Sequence, residues 1–150
     1  MNQRAALGLF ILLTLGGGLV IGALALPDAW FAQLHKPAFQ PPGWVFGPVW
    51  SALYVLIGIA GWRIWRLPQR GWAWKLWWLQ LGLNFLWSPV FFGAHRLGLS
   101  VAVIFALLAV LLACVIAAWR QDKPAGVLLL PYLAWVSFAS VLNAAIVTLN

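Results

Sequence analysis

Apolar residues fall in long runs along this chain, and the runs are cut by prolines and by small clusters of charge. A helix needs about 20 mostly apolar residues to cross a hydrocarbon core. Five runs meet that length: 5–26, 44–65, 72–92, 97–119 and 125–148. The first continues to Leu26, too long for the apolar region of a typical signal sequence, so it reads as a retained span. Pro27 and Asp28 end it, and Trp30 and Phe31 begin a short interfacial helix. The connector then reads KPAFQPPGW. Pro37, Pro41 and Pro42 lack backbone donors and push the residues before them toward extended geometry, so no helix runs through them. This stiff, aromatic segment at the mouth of the second span predicts a lid. The expected fold is all-α: one transmembrane domain over 1–150, a bundle of five helices with a proline-rich lid between helices 1 and 2.

Polar and small residues inside the spans carry the next layer of information. Gly18 and Gly22 form a G-x-x-x-G pair in the first span, which permits close helix contact. In the second, Gly47, Ser51, Tyr54, Gly58 and Gly61 recur at helical steps and share a face, with Trp50 flanking it. Gln80, Asn84 and Ser88 make a stripe at i, i+4 in the third span. Polar groups at this depth face protein rather than lipid. Helix-to-helix glue accounts for such amides equally well, but Trp77, Trp87 and Phe91 beside them favour a ligand-facing wall. Pro89 follows and is expected to bend the helix near its exit. The fourth span carries a ridge of Gly98, Ala102, Ala106, Ala109, Ala113 and Ala117. In the fifth, Tyr132, Trp135, Ala139 and either Asn143 or Leu142 share a face.

Composition fits the pattern: 65% of the 150 residues are hydrophobic and 7% are charged, against about a quarter charged in soluble domains. The net charge of +7 does not point to nucleic acid, because Arg63, Arg66, Arg70, Arg120 and Lys123 sit at span ends, where basic residues set topology and meet anionic lipid. Arg4, Lys75 and these residues outnumber Lys36 and Arg96 on the opposite side, which places the N-terminus in the cytoplasm if the membrane is a bacterial inner membrane. Cys114 is the single cysteine and lies in an apolar helix, where it packs rather than pairs.

Ten of the twelve tryptophans divide into two groups. Trp62, Trp65, Trp72, Trp74 and Trp119 at one set of span ends, and Trp30 and Trp44 at the other, suit an interfacial belt. Trp50, Trp87 and Trp135 lie inside spans, where a belt does not account for them.

The lid KPAFQPPGWVFGPVW, the third-span exit LNFLWSPVFFGAHRLG and the fifth-span run PYLAWVSFASVLN resemble the tryptophan-rich sensory protein (TspO/MBR) family, whose animal members are translocator proteins or peripheral benzodiazepine receptors. The resemblance covers nearly the whole chain. It implies a five-helix bundle, often a homodimer, that binds porphyrins between its helices under the first connector, with sterols or synthetic benzodiazepine-receptor-type ligands in some members. Matched pocket positions are Phe31, Trp50, Asn84, Ser88, Trp135 and Ala139; Phe39, Trp44, Tyr54, Trp87, Tyr132 and Asn143 complete the candidate ligand-binding set. Phe39 stands where relatives commonly carry Trp, and Ala144 and Val147-Thr148 replace an aromatic and a Trp-Arg pair. No basic residue follows Tyr132, as the proposed cholesterol motif requires, which argues against strong sterol binding.

Asp28 and Asp122 are the only carboxylates and fall in connectors, which disfavours a proton-coupled antiporter. No phosphate loop, zinc spacing or nucleophile triad is present. His35 and His95 are expected on one side, and interfacial histidines of this kind are more often unliganded than bound to haem iron. The leading reading is a receptor, sensor or carrier for porphyrin or haem, with membrane lipid around it and no obligatory cofactor or metal. A second reading is enzymatic: the resemblance allows light- and oxygen-dependent porphyrin breakdown, in which Trp50 and Trp135 would be the catalytic redox partners. A third is a structural or interaction protein.

Overall fold

The first apolar run folds as helix α1 (Gln3–Leu24), which stops just before Pro27. The computed structural model describes residues 2–150, and among them every regular element is helical. Asp28 caps the short helix α2 (Ala29–Gln33) by accepting the Phe31 N–H at 3.1 Å. The prolines of the connector keep 35–42 non-helical, and α3 (Gly43–Trp65) begins directly after Pro42. Helix α4 (Gly71–Ser88) runs into a π-helical turn, Pro89–Gly93, then α5 (Leu97–Gln121) and α6 (Lys123–Leu149) follow. The predicted kink at Pro89 therefore takes the form of a widened turn, in which Ala94 N–H reaches back to the Pro89 carbonyl at 2.8 Å.

Four helices are long and apolar enough to cross a membrane: α1, α3, α5 and α6. This is one fewer than the five spans expected. Helix α4 carries Lys75, Gln80, Asn84 and Ser88 and falls outside that set. It nevertheless packs along α5 and touches α1 and α3. The helices close a ring in the order α1, α3, α6, α5, α4, with α4 returning to α1 and the α5–α6 contact the most extensive.

Small residues set the tightest approaches. A methyl on Gly58 would come within 3.0 Å of the Ile11 Cα and the Phe10 carbonyl, so α1 lies against bare backbone there. At the same level α1 widens into a π-helical turn, Leu12–Gly16, and the buried Thr14 hydroxyl donates to the Tyr54 carbonyl of α3 at 2.7 Å. Gly18 seats the ring of Tyr54, and Gly61 seats the indole of Trp77. Gly22, the expected partner of Gly18, has open space around it. The main core joins α3, α4, α5 and α6 through residues such as Ile57, Trp77, Leu111 and Leu129.

Residue Asp122 alone separates α5 from α6, and its carboxylate is held by Arg63 of α3 through Nε at 2.7 Å and Nη2 at 3.2 Å. On α5, Gly98, Ala102, Ala106, Ala109 and Ala113 are all exposed, so the small-residue ridge faces outward.

Candidate functional site

A thread of hydrogen bonds crosses the middle of the bundle. The Tyr132 hydroxyl of α6 donates to Gln80 Oε1 at 2.8 Å and accepts from Asn84 Nδ2 at 2.7 Å; Tyr54 of α3 donates its hydroxyl to Asn84 Oδ1 at 2.7 Å. The i, i+4 spacing of Gln80 and Asn84 places both amides on the inner face of α4, where they are 0% and 6% exposed. Burying an amide in apolar surroundings is costly unless its polar atoms are paired, and the two tyrosines answer most of that demand. One donor remains without a protein acceptor, Gln80 Nε2. Trp50 lies against this thread, 5.4 Å from the Tyr54 ring and 6.2 Å from Tyr132.

One turn beyond Tyr132, at the middle of α6, Trp135 is half-buried and packs edge-on to Phe46 at 5.8 Å. Its Nε1 is buried and also has no acceptor among the described residues. Trp135 walls an open apolar slot of about 580 Å³ between α3 and α6, with Val49, Leu53 and Phe138 as neighbours and Pro41 of the connector at its upper side. Phe39 reaches the same wall through Phe138, at 6.2 Å. Trp50 and Trp135 thus each contact the other's helix, Trp50 through Tyr132 and Trp135 through Phe46.

A second constellation sits at the outer corner. The indole Nε1 of Trp87 donates to Asn143 Oδ1 at 2.8 Å, and Asn143 Nδ2 donates to the Ser100 hydroxyl at 3.1 Å. The Trp87 ring stacks on Phe91 at 5.0 Å, and Phe31 meets Phe91 and Phe92 edge-on. Lys36 clamps the start of the connector, donating to the Phe31 carbonyl at 2.8 Å with its ammonium 4.4 Å above the Phe31 ring. His95 adopts a left-handed conformation (φ 56°), stacks on Trp30 at 4.1 Å and meets Asp28 Oδ2 through Nε2 at 3.0 Å. The Phe31 N–H, then His95, hold the Asp28 carboxyl below its ordinary value and outweigh the opposing effect of desolvation. The His35 N–H donates to Asn150 Oδ1 at 3.0 Å.

The predicted site residues therefore divide. Trp50, Tyr54, Asn84 and Tyr132 come together; Phe31, Trp87 and Asn143 form the outer corner; Trp135 and Phe39 border the slot. Ala139 packs against the main core, and Ser88 is half-buried where α4 opens into its π-helical turn. Trp44 is 76% exposed and joins none of these groups. Sequence reasoning missed Thr14 and Ser100 as network members; a lone hydroxyl in an apolar run was the available signal for each. Among the described residues no cluster of three or more His, Cys, Asp or Glu side chains is placed to hold a metal ion.

The TspO/MBR family profile matches residues 10–149. The chain is 39% identical to a tryptophan-rich sensory protein of Cereibacter sphaeroides over 150 residues, covering 100% of this chain and 95% of that one. It is 38% identical to protein CrtK of Rhodobacter capsulatus over 134 residues, 86% of this chain and 83% of the relative. It is 40% identical to the human translocator protein over 121 residues, 76% of this chain and 70% of the relative.

Proposed function

From the premise that this chain belongs to the TspO/MBR family and is an integral membrane protein, we propose that it binds a tetrapyrrole, porphyrin or haem, as a receptor or carrier. The names of its relatives, sensory protein and translocator protein, agree with that role. The observation that carries the reading is the buried Trp135 Nε1 without a protein acceptor, beside an apolar slot of about 580 Å³. That volume lies within the usual range of ligand pockets, about 300–1,000 Å³. Aromatic walls favour a flat macrocycle through dispersion and stacking, and a ligand carbonyl or carboxylate oxygen that reached the buried indole N–H on displacement of the neighbouring side chains would supply the acceptor it lacks. In this reading α4 is the fifth span, and the connector 36–44 is a lid. Pro41 borders the slot and Phe39 packs on Phe138, so displacing the connector opens the space beside Trp135.

Spectroscopic titration of the protein in lipid nanodiscs with a panel of porphyrins tests this. Saturable Soret shifts with tryptophan quenching, weakened by Trp135→Phe and weakened more by Trp135→Ala, are expected. Failure of every porphyrin to bind in both detergent and lipid would overturn the reading and favour a structural role.

One observation favours an added enzymatic reading. Trp50 lies in aromatic contact with two tyrosines, a path along which an oxidised indole can be refilled. A photo-excited porphyrin in the slot beside Trp135, extended to reach Trp50 behind Val49 and Leu53, would be degraded with oxygen as the oxidant. Trp50→Phe is then expected to retain binding and suppress light-dependent loss of porphyrin.

The exposed small-residue ridge of α5 supports a homodimer, and the charge asymmetry between the two ends supports a cytoplasmic N-terminus in a bacterial inner membrane.

A further inference from the structure

The seam between α3 and α6 holds a second hollow, of about 530 Å³, at the end of the bundle opposite the connector. Its floor is apolar, made by Ile59, Val127 and Leu128, and its rim carries Arg63 and Lys123. Both helices are candidate membrane spans, so the floor lies against lipid chains while the rim lies at a water-facing end. Tryptophans mark the same end: Arg66 sits 4.4 Å over Trp62 and Lys123 5.2 Å over Trp119, as an interfacial belt arranges them.

The rim is built rather than incidental. Asp122 fixes the Arg63 guanidinium through Nε and Nη2, which leaves the Nη1 hydrogens for another acceptor. Because Asp122 points its carboxylate at Arg63, it makes no side-chain cap on α6. The Ala125 and Gly126 N–H groups close on the Asp122 carbonyl, and the positive end of this long helix adds a partial positive charge behind the rim. Pro124 has no N–H to offer, and the exposed Lys123 supplies an ammonium beside it. Arg63, Lys123 and the helix end together exceed the single negative charge of Asp122.

From this pairing of a cationic rim with an apolar floor we infer that the hollow is a binding site for an anionic phospholipid, its phosphate at Arg63 and Lys123 and one acyl chain along Ile59, Val127 and Leu128. A zwitterionic lipid would bring its own cation to the rim and lose the charge complementarity. A free phosphate would leave the apolar floor unused. From Arg63 to Leu53 the seam rises about 15 Å along α3 at 1.5 Å per residue, so a long acyl chain lying on the floor extends toward the lower wall of the Trp135 slot.

Native mass spectrometry of the detergent-solubilised full chain tests the inference, with dioleoyl phosphatidylglycerol and dioleoyl phosphatidylcholine as probes. The wild type is expected to retain the phosphatidylglycerol preferentially. Lys123→Gln is expected to weaken its retention about fivefold, the contribution of one basic residue near an anionic headgroup. Val127→Trp, which fills the floor and leaves the charge alone, is expected to remove it. Lys75→Gln, which removes an equal charge from α4, is expected to leave it unchanged. Equal retention of the two lipids, equal loss in Lys75→Gln, or displacement of the lipid by glycerol phosphate at comparable concentration would each overturn the assignment.

Discussion

Tyr132 and Asn84 share a hydrogen bond of 2.7 Å in the centre of the bundle, and each is also bonded to a second partner. Tyr132→Phe would strand Asn84 Nδ2 and Gln80 Oε1 together, at a cost of about 1–3 kcal/mol for each unpaired buried group. Tyr54→Phe strands Asn84 Oδ1 alone and is expected to cost less. Thermal unfolding of the purified protein in one detergent should rank them in that order. Adding Gln80→Leu to Tyr132→Phe should recover part of the loss.

Gly61 admits the fully buried indole of Trp77, whose Nε1 donates to the Ile57 carbonyl at 3.0 Å. A methyl at position 61 meets a ring that is fixed on all sides, so Gly61→Ala is expected to destabilise by about 1–3 kcal/mol through overpacking. Trp77→Phe in the same chain makes room, and the double variant should lose less than the sum of the singles. Strict additivity would show that the two residues are not coupled.

The outer corner should loosen in acid. Asp28 has a depressed folded value, so the stability it contributes is present above its ordinary value of 3.8 and is lost as pH falls through the lower folded one. Limited proteolysis in the connector is expected to rise across that window. Asp28→Asn should show raised cleavage already at neutral pH, with little further change on acidification. An unaltered acid profile in that variant would assign the effect to another group.

Topology is open to labelling. In a Cys114→Ala background, Gln40→Cys and Gln121→Cys are expected to react from opposite sides of the membrane, the latter from the cytoplasm. Equal reaction of both from the cytoplasmic side would defeat the proposed orientation.

Self-association should depend on Ala106, which is exposed in the middle of the α5 ridge. Ala106→Leu blocks close backbone approach and is expected to reduce the dimer fraction measured by energy transfer in bilayers. An undiminished fraction would move the interface elsewhere.

Helix existence was legible because apolar runs and prolines bracket each element, and the observed ends fall close to those expected. Azimuth was only half legible. The spacing of Gln80 and Asn84 marked an inward face, yet spacing within one helix does not say which side chain from another will meet it, so the tyrosine partners had to come from the fold. The same limit applies to small residues: Gly18 and Gly22 share a spacing, but only Gly18 is pressed against a neighbour. Pro89 foretold a disturbance through its missing N–H, whereas the widened turn around Thr14 depends on a hydroxyl reaching across to α3. The count of spans suffered for a related reason. The polar side chains that make α4 the inner wall also lower its apolarity below that of its neighbours.

The single-residue link at Asp122, held by Arg63, would be the fulcrum of any tilt of α6. Helix α6 extends from that point as a rod about 40 Å long at 1.5 Å per residue. Tilting such a rod by about 5° moves its base almost nothing and its far tip by about 3.5 Å, roughly the thickness of an aromatic ring. Displacement therefore grows linearly with distance from Asp122, and the Trp135 slot, about halfway along the rod, would move by about 2 Å. Any such tilt is opposed at the tip, where Leu142 and Ile146 pack with Phe91 and Asn150 is bonded to His35, so the far end of α6 is tied to the connector that crosses it.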